Sequence, residues 1–220
     1  MTQGHPGVDR DNKMDSLSAC LSESFMVNTD RAAIRVLSDD QMFISGVCAL
    51  LARVAPCGQG AILDDTREQM LFIDLNHLTH SLFHLVRALA HLPSSYRVVF
   101  WTAQQPAHTL NFLRLIENAS FIHKKASLLD IEHAMREILC GQRFITPQVK
   151  HTFMSSNGPG RVSEETFTIL DNMMSGVRVK CIAAKLHTAD KSVYSKIRQF
   201  REKLSLLRKS DFLSFIHDIS

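Results

Sequence analysis

The sequence lacks long apolar runs and paired cysteines, and each absence excludes a class of protein. Charged residues such as Arg53 and Arg87 interrupt every apolar stretch, so no segment reaches the roughly 18 consecutive apolar residues of a membrane-spanning helix. The five cysteines are odd in number and never form a Cys-x-x-Cys pair, which argues against a disulfide framework and against a zinc ribbon. We therefore expect a protein of the reducing cytoplasm that has no membrane partner.

The composition that remains is that of an ordinary globular chain. Its 220 residues are 45% apolar and 21% charged, which fits one large domain or two small ones. Residues 1–30 are polar and serine-rich, and they lack the apolar core and cleavage site of a secretory signal. We predict that these residues form a mobile N-terminal tail.

Positive charge is concentrated towards the C-terminal end of the sequence. Residues 176–209 contain ten Lys and Arg against two acids, Asp190 and Glu202, whereas the whole chain has a net charge of only +3. A cluster of this kind suits the phosphates of nucleic acid. Charge alone favours a solvated helix face, so the function depends on how these residues are arranged.

Turn-forming residues divide the chain into two domains. Residues 155–160 have the sequence SSNGPG, which contains no apolar anchor. We place a linker at residues 151–160, between a first domain over 31–150 and a second domain over 161–220.

The first domain alternates short apolar runs with amphipathic segments. The predicted strands are 33–37, 69–73, 97–101 and 120–122, and the predicted helices are 41–53, 79–91, 106–118 and 127–140. Ser127 and Asp130 form a capping box for the last helix, and Gly141 ends it. The alternation predicts an α/β fold with a doubly wound parallel sheet. A strand at 60–63 would leave too few residues for a crossover helix, so the second unit is truncated, irregular or misassigned.

The second domain shows only helical periodicity, and we predict four helices in it, the first capped by Ser163. The third helix has apolar residues at i, i+4, i+7 and i+11, namely Val193, Ile197, Phe200 and Leu204. Its opposite face carries polar residues, namely Lys191, Ser195, Arg198 and Glu202, with Tyr194 and Gln199 on the flanks. With the short helix and tight turn before it, this helix completes a helix-turn-helix that can enter the major groove of DNA.

The second domain resembles the LuxR-type (NarL/FixJ) helix-turn-helix. The matching positions are Val162-Ser163-Glu164-Glu165, Ile169-Leu170, Gly176, Ile182-Ala183, Leu186-His187, Lys191-Ser192-Val193 and Lys203-Leu204. The resemblance implies that the third helix contacts bases through Tyr194, Ser195 and Arg198, with Gln199 beside them. It implies phosphate contacts from Lys180, Lys191, Ser192 and Lys196. Ala189 departs from the family, which usually has a capping Ser or Thr there, so we expect Thr188 or Asp190 to cap the helix.

The first domain resembles the receiver domain of response regulators. Asp74, in the sequence LFIDL, ends a predicted strand at the place of the phosphoacceptor, so it is the candidate phosphoacceptor here. Thr102 and Lys124 match the hydroxyl and the lysine that bind the phosphoryl group. The resemblance implies that carboxylates hold magnesium while an aspartate attacks phosphorus.

The acidic pair of a receiver is degenerate in this chain. Asp39 and Asp40 occupy the two positions of the acidic pair if the first strand ends at Ser38. If Gly46 is aligned with the helix glycine of the family, Ser38 and Asp39 occupy these positions instead. His77 and Leu78 also replace the usual Met-Pro. These departures favour a pseudo-receiver without phosphotransfer, in which Asp74 is a strand-terminal polar residue. We expect no cofactor, with magnesium relevant only if the receiver is phosphorylated, and no enzymatic activity.

The histidines at positions 77, 80 and 84 have helical spacing, and His80 and His84 alone can chelate a metal. Because no Cys, Asp or Glu completes the set locally, we expect surface or interface histidines and no metal site.

Together these features predict a bacterial transcription regulator similar to capsule-type regulators with degenerate receivers. We expect it to bind double-stranded DNA as a homodimer, or as a heterodimer with another response regulator. One alternative is an adaptor or anti-activator that sequesters a partner regulator without specific DNA binding. Another is a phosphotransfer sink.

Overall fold

The computed structural model of the chain describes residues 24–28, 32–54, 68–78, 81–90, 92–93, 95–153, 162–206 and 208–220. The strands, all in one sheet, are β1 (Phe25–Asn28), β2 (Ala32–Leu37), β3 (Glu68–Asp74), β4 (Tyr96–Thr102) and β5 (Ser120–His123). The helices are α1 (Gln41–Val54), α2 (Leu82–Leu89), α3 (Ala107–Leu113), α4 (Leu128–Leu139), α5 (Pro147–Phe153), α6 (Glu164–Met174), α7 (Val179–Lys185), α8 (Asp190–Lys203) and α9 (Lys209–Ile219). We call residues 24–153 the sheet domain and residues 162–220 the helical domain.

Strands β2 to β5 lie side by side and are parallel, as the sequence predicts. Their apolar runs are buried on both faces because helices cover both sides of the sheet. Leu71 and Ile73 belong to the core with α2 and α3, whereas Met70 and Phe72 belong to the core with α1 and α4. The sheet therefore has the doubly wound arrangement.

The first strand shows that the prediction of a mobile tail over residues 1–30 is wrong for Phe25–Asn28. These residues form β1, which pairs antiparallel with β2. Val27 packs against the core on the α1 side, and this burial favours joining the sheet. The predicted strand at 60–63 lies outside the described residues. In the described sheet, β1, which precedes β2 in the sequence, holds the position beside β2 on the side away from β3.

Helix boundaries in the sheet domain agree with the prediction within one residue at α1 and α4, whereas α2 spans only Leu82–Leu89 of the predicted 79–91. The predicted helix 106–118 is too long, because α3 ends at Leu113 and Asn118 has a left-handed φ of 62°. The predicted cap of α4 is confirmed: the Ser127 hydroxyl accepts the Asp130 N–H at 3.1 Å and donates to its carboxylate at 2.7 Å. Gly141 follows α4 with a φ of 84°, as its role as a helix stop requires.

Helix α5 extends the sheet domain past its predicted end at residue 150. It runs to Phe153, whose ring lies 5.2 Å from that of Phe121 in β5. The first three residues of the predicted linker 151–160 are therefore helical and belong to the sheet domain. Residues 154–160 lie outside the described residues.

The described part of the helical domain contains the helices α6 to α9. The predicted cap of α6 is confirmed, because the Ser163 hydroxyl accepts the Thr166 N–H at 3.3 Å. The predicted capping of α8 by Thr188 or Asp190 is wrong. The N-cap residue is Ala189, which has no side-chain oxygen, and Asp190 is already the first residue of the helix.

The two domains share a continuous apolar core at an interface between α2 and α3 on one side and α6, α8 and α9 on the other. The Phe83 ring lies 5.9 Å from the Phe167 ring. The Phe112 ring lies 6.2 Å from Phe200 of α8 and 5.3 Å from Phe215 of α9. These are favourable distances for aromatic pairs. Helix α8 is thus held against the sheet domain by its buried side.

Charged side chains connect the two domains beside these aromatic rings. Arg87 of α2 donates from Nε to Glu164 at 3.0 Å and from Nη1 to Asp171 at 3.1 Å, and both carboxylates lie on α6. His108 Nε2 of α3 lies 3.1 Å from the Asp218 carboxylate of α9. None of the helices in the described part of the chain is long and apolar enough to cross a membrane.

Candidate functional site

Two groups of side chains carry the predicted chemistry, and the first lies at the carboxyl edge of the sheet. Asp74 ends β3, Thr102 ends β4 and Lys124 follows β5, so parallel strands bring all three to one edge. Asp74 is fully buried, and Lys124 Nζ lies 2.6 Å from its carboxylate. Ser38 Oγ donates to Asp74 at 3.1 Å, and the Asn76 N–H donates to it at 2.9 Å. The charge of Asp74 is therefore balanced by a lysine and supported by two further donors.

The acidic pair is reduced to one carboxylate in this cluster. Asp40 lies near Asp74, and its Oδ1 also accepts the Met42 N–H at 2.9 Å at the start of α1. Ser38, which contacts Asp74 directly, accepts the Asp40 N–H at 3.1 Å. Asp39 is exposed and does not belong to the group of ligand atoms formed by Asp40, Asp74 and His77, so its place in the receiver site stays a prediction.

His77 completes a group that sequence reasoning missed. A ring nitrogen of His77 and carboxylate oxygens of Asp40 and Asp74 lie within 4.8 Å of one another. The two carboxylates suit a hard cation such as Mg²⁺, whereas the imidazole suits softer divalent ions. A cation bound to Asp74 would compete with Lys124. The sequence places His77 three residues after Asp74, but it gives no sign that the imidazole approaches Asp40, because that closeness depends on how the loop after β3 folds.

Thr102 is 1% exposed, and its hydroxyl has no hydrogen-bond partner among the described residues. Lys124 is fixed by a second contact, since its Nζ lies 4.6 Å from the centre of the Phe43 ring. The carboxyl edge thus holds the three predicted side chains Asp74, Thr102 and Lys124 together, with Lys124 directed to Asp74 and the Thr102 hydroxyl unused.

The second group lies on the exposed face of α8. Val193, Ile197 and Phe200 are buried, as the periodicity predicts. The predicted DNA-contacting residues that are exposed are Lys191, Tyr194, Ser195, Arg198 and Gln199 on α8 and Lys180 on α7. Ser192 and Lys196 are half-buried. The helix therefore presents a polar, basic face away from its own core.

Two of the cations on α8 are paired with carboxylates. Arg198 Nε donates to Glu202 Oε1 at 2.8 Å, and the pair is well exposed. The hydrogen bond that Arg198 donates to the Glu202 carboxylate raises the pKa of the guanidinium above its ordinary value. Lys196 Nζ lies 2.7 Å from Glu165 of α6, so Lys196 sits on the flank of α8 that faces α6. A phosphate that binds Lys196 would share this ammonium group with Glu165.

Comparisons with known proteins establish the fold. No family model and no curated protein matches the sequence. A solved structure of RcsB from Salmonella enterica serovar Typhimurium bound to a promoter is 18% identical, with a TM-score of 0.51, and covers 88% of this chain and 100% of that chain. A structure of two RcsB dimers bound to two parallel DNAs is 17% identical, with a TM-score of 0.50 and the same coverage. The chain therefore shares its fold with these solved structures. At these identities the likeness concerns architecture, so the roles of individual residues rest on their own chemistry.

Proposed function

We propose that the chain is a bacterial DNA-binding transcription regulator with a LuxR-type helical domain. The observation that carries this proposal is the exposed basic face of α8, which lies opposite Val193, Ile197 and Phe200 in a helix-turn-helix. A helix of this kind fits the major groove of B-form DNA. Two structures with a similar fold were determined in complex with DNA, and this supports the proposal that the chain binds DNA.

The residues on this face divide into two roles. Arg198 is the strongest candidate for a base contact, because a guanidinium can donate two hydrogen bonds to a guanine edge. Tyr194 and Ser195 are placed for base or phosphate contacts beside it. Lys191 and Lys180 are exposed cations suited to phosphates, which position the protein without selecting sequence.

We also propose that the sheet domain acts as a pseudo-receiver and controls the protein through association. Two observations support this: Ser38 lies beside Asp74, and Asp40 is the one acid grouped with Asp74 among the described residues. Control would come from pairing with a second copy or with another regulator, which aligns two α8 helices on neighbouring half-sites. The chain would then have no enzymatic activity and no membrane partner.

The test is selection of duplexes from a randomised library by the whole chain, followed by footprinting of the enriched sequence. The proposal predicts one enriched motif with half-sites about 10 base pairs apart. Arg198→Ala should lose the enrichment, whereas a variant of an exposed arginine away from α8, Arg136→Ala, should keep it. Failure to enrich any motif would favour the adaptor hypothesis. Acid-labile phosphate on Asp74 would favour the phosphotransfer sink.

A further inference from the structure

We propose that Glu202 is a specificity-determining residue that positions Arg198 for base recognition. This inference rests on the proposed function of α8. Glu202 lies one helical turn after Arg198, and the two side chains form the ion pair described above, with Arg198 80% exposed and Glu202 55% exposed. The two acids within the basic segment 176–209 are Asp190 and Glu202, and Glu202 is the one that contacts a predicted base-reading arginine.

The ion pair leaves the Nη donors of Arg198 available, and the side chain is 80% exposed. Its Nε–H is donated to Glu202, so the two Nη groups keep their hydrogens for a bidentate contact with a base edge. An arginine this exposed has many rotamers in the absence of a partner. The carboxylate of Glu202 restricts them and thereby reduces the ordering cost of binding to the correct base.

The same carboxylate opposes binding to DNA in general. A negative charge on a face that approaches phosphates lowers the affinity for every sequence. Glu202 therefore has two effects of opposite sign. It weakens sequence-independent binding, and it strengthens the contact that distinguishes one base from another.

Glu165 provides a matched control. It is also an acid paired with a cation of α8, at 2.7 Å from Lys196, but that pair faces α6 rather than the exposed face. Removal of Glu165 changes the charge of the helical domain by the same amount as removal of Glu202, without changing the surroundings of Arg198.

The experiment measures dissociation constants of the whole chain for the library-selected duplex and for a random duplex at one salt concentration. A bidentate base contact corresponds to about 5- to 150-fold in discrimination. We expect Glu202→Ala to bind random DNA more tightly than the parent. The ratio of the dissociation constant for random DNA to that for the selected duplex should fall by about three- to tenfold, because the contact of Arg198 with its base is partly lost. Glu165→Gln should leave the ratio unchanged.

A double-mutant cycle separates positioning from a change in charge. In the Arg198→Ala background, Glu202→Ala should no longer alter the ratio, because the residue it positions is absent. The loss of base discrimination caused by Glu202→Ala alone should also be confined to the base pair at which Arg198→Ala loses discrimination.

Two outcomes would overturn the proposal while leaving DNA binding by α8 intact. One is that Glu202→Ala strengthens binding to both duplexes by the same factor. The other is that its effect on the ratio persists without Arg198. If the parent chain selects no sequence from the library, the proposed function itself fails, and that result is distinct from either of these.

Discussion

Replacement of Arg87 by alanine is expected to weaken the interface between the sheet domain and the helical domain. Arg87 lies on α2 and donates hydrogen bonds to Glu164 and Asp171 of α6, with its own side chain 20% exposed. The alanine variant loses these bonds and leaves two carboxylates on α6 without their shared cation. The aromatic contacts of Phe83 and Phe112 would remain.

The size of the effect follows from this intermediate burial. Exposed ion pairs contribute about 0–1 kcal/mol to stability. Hydrogen bonds to charged groups that are removed from water contribute about 1.5–3 kcal/mol. Because the two carboxylates are 33% and 38% exposed, solvent screens part of the interaction. We therefore expect Arg87→Ala to lower the free energy of unfolding by about 1–3 kcal/mol.

The assay is urea unfolding of the whole chain followed by two signals. The single tryptophan, Trp101 in β4, reports on the sheet domain by fluorescence, whereas far-UV circular dichroism reports on all helices. Because the core is continuous across the interface, both signals of the parent should change together. In Arg87→Ala both midpoints should fall.

Arg198→Ala is the control for this measurement. It also removes an Arg–Glu pair, but the pair is well exposed and lies within one helix, so unfolding should be unchanged. If Arg87→Ala unfolds like this control, or if the parent shows two separate transitions, the account of a shared interface is wrong.

Three further expectations follow. Asp74→Asn keeps an acceptor for the Asn76 N–H but removes the charge opposite Lys124, so we expect a stability loss of about 1–3 kcal/mol in urea unfolding. DNA binding by the Asp74→Asn variant should be unchanged. If the variant loses both regulated output and labelling by a small-molecule phosphodonor, the proposal of a pseudo-receiver is wrong. Burial raises the pKa of the Cys48 thiol and so lowers its thiolate fraction. Peptide mapping after treatment with iodoacetamide at pH 8 should therefore show slower labelling of Cys48 than of the exposed Cys140 and Cys181. Equal labelling rates would contradict this expectation.

The parallel sheet could be predicted because its strands are buried on both faces. Such strands are short, continuous apolar runs, and the amphipathic helices between them show the crossover connections. β1 was missed because it lies in a polar segment, and Phe25 and Met26 are half exposed there. Only its pairing with β2 and the packing of Val27 make it a strand.

The side chains at the carboxyl edge could be predicted only in part. Asp74, Thr102 and Lys124 follow directly from where parallel strands end. Ser38 and His77 belong to loops, and their closeness to Asp74 depends on backbone geometry that no periodicity encodes.

The domain interface was missed for a similar reason. Apolar positions on α2, α3 and α9 show that Phe83, Phe112 and Phe215 are buried, but not which element covers them. The assignment of these residues to a shared core needed the tertiary structure. The exposed face of α8, by contrast, followed from helical periodicity alone.

The most direct test of the central claim is a salt titration of Arg198→Ala and Lys191→Ala on the selected duplex and on random DNA. If Arg198 contacts a base edge, its loss should weaken binding to the selected duplex by about 5- to 150-fold and binding to random DNA far less. Lys191→Ala should weaken binding to both duplexes similarly and reduce the salt slope by about one unit. If Arg198→Ala binds the selected duplex like the parent, or weakens binding to both duplexes equally, α8 does not recognise DNA sequence through Arg198.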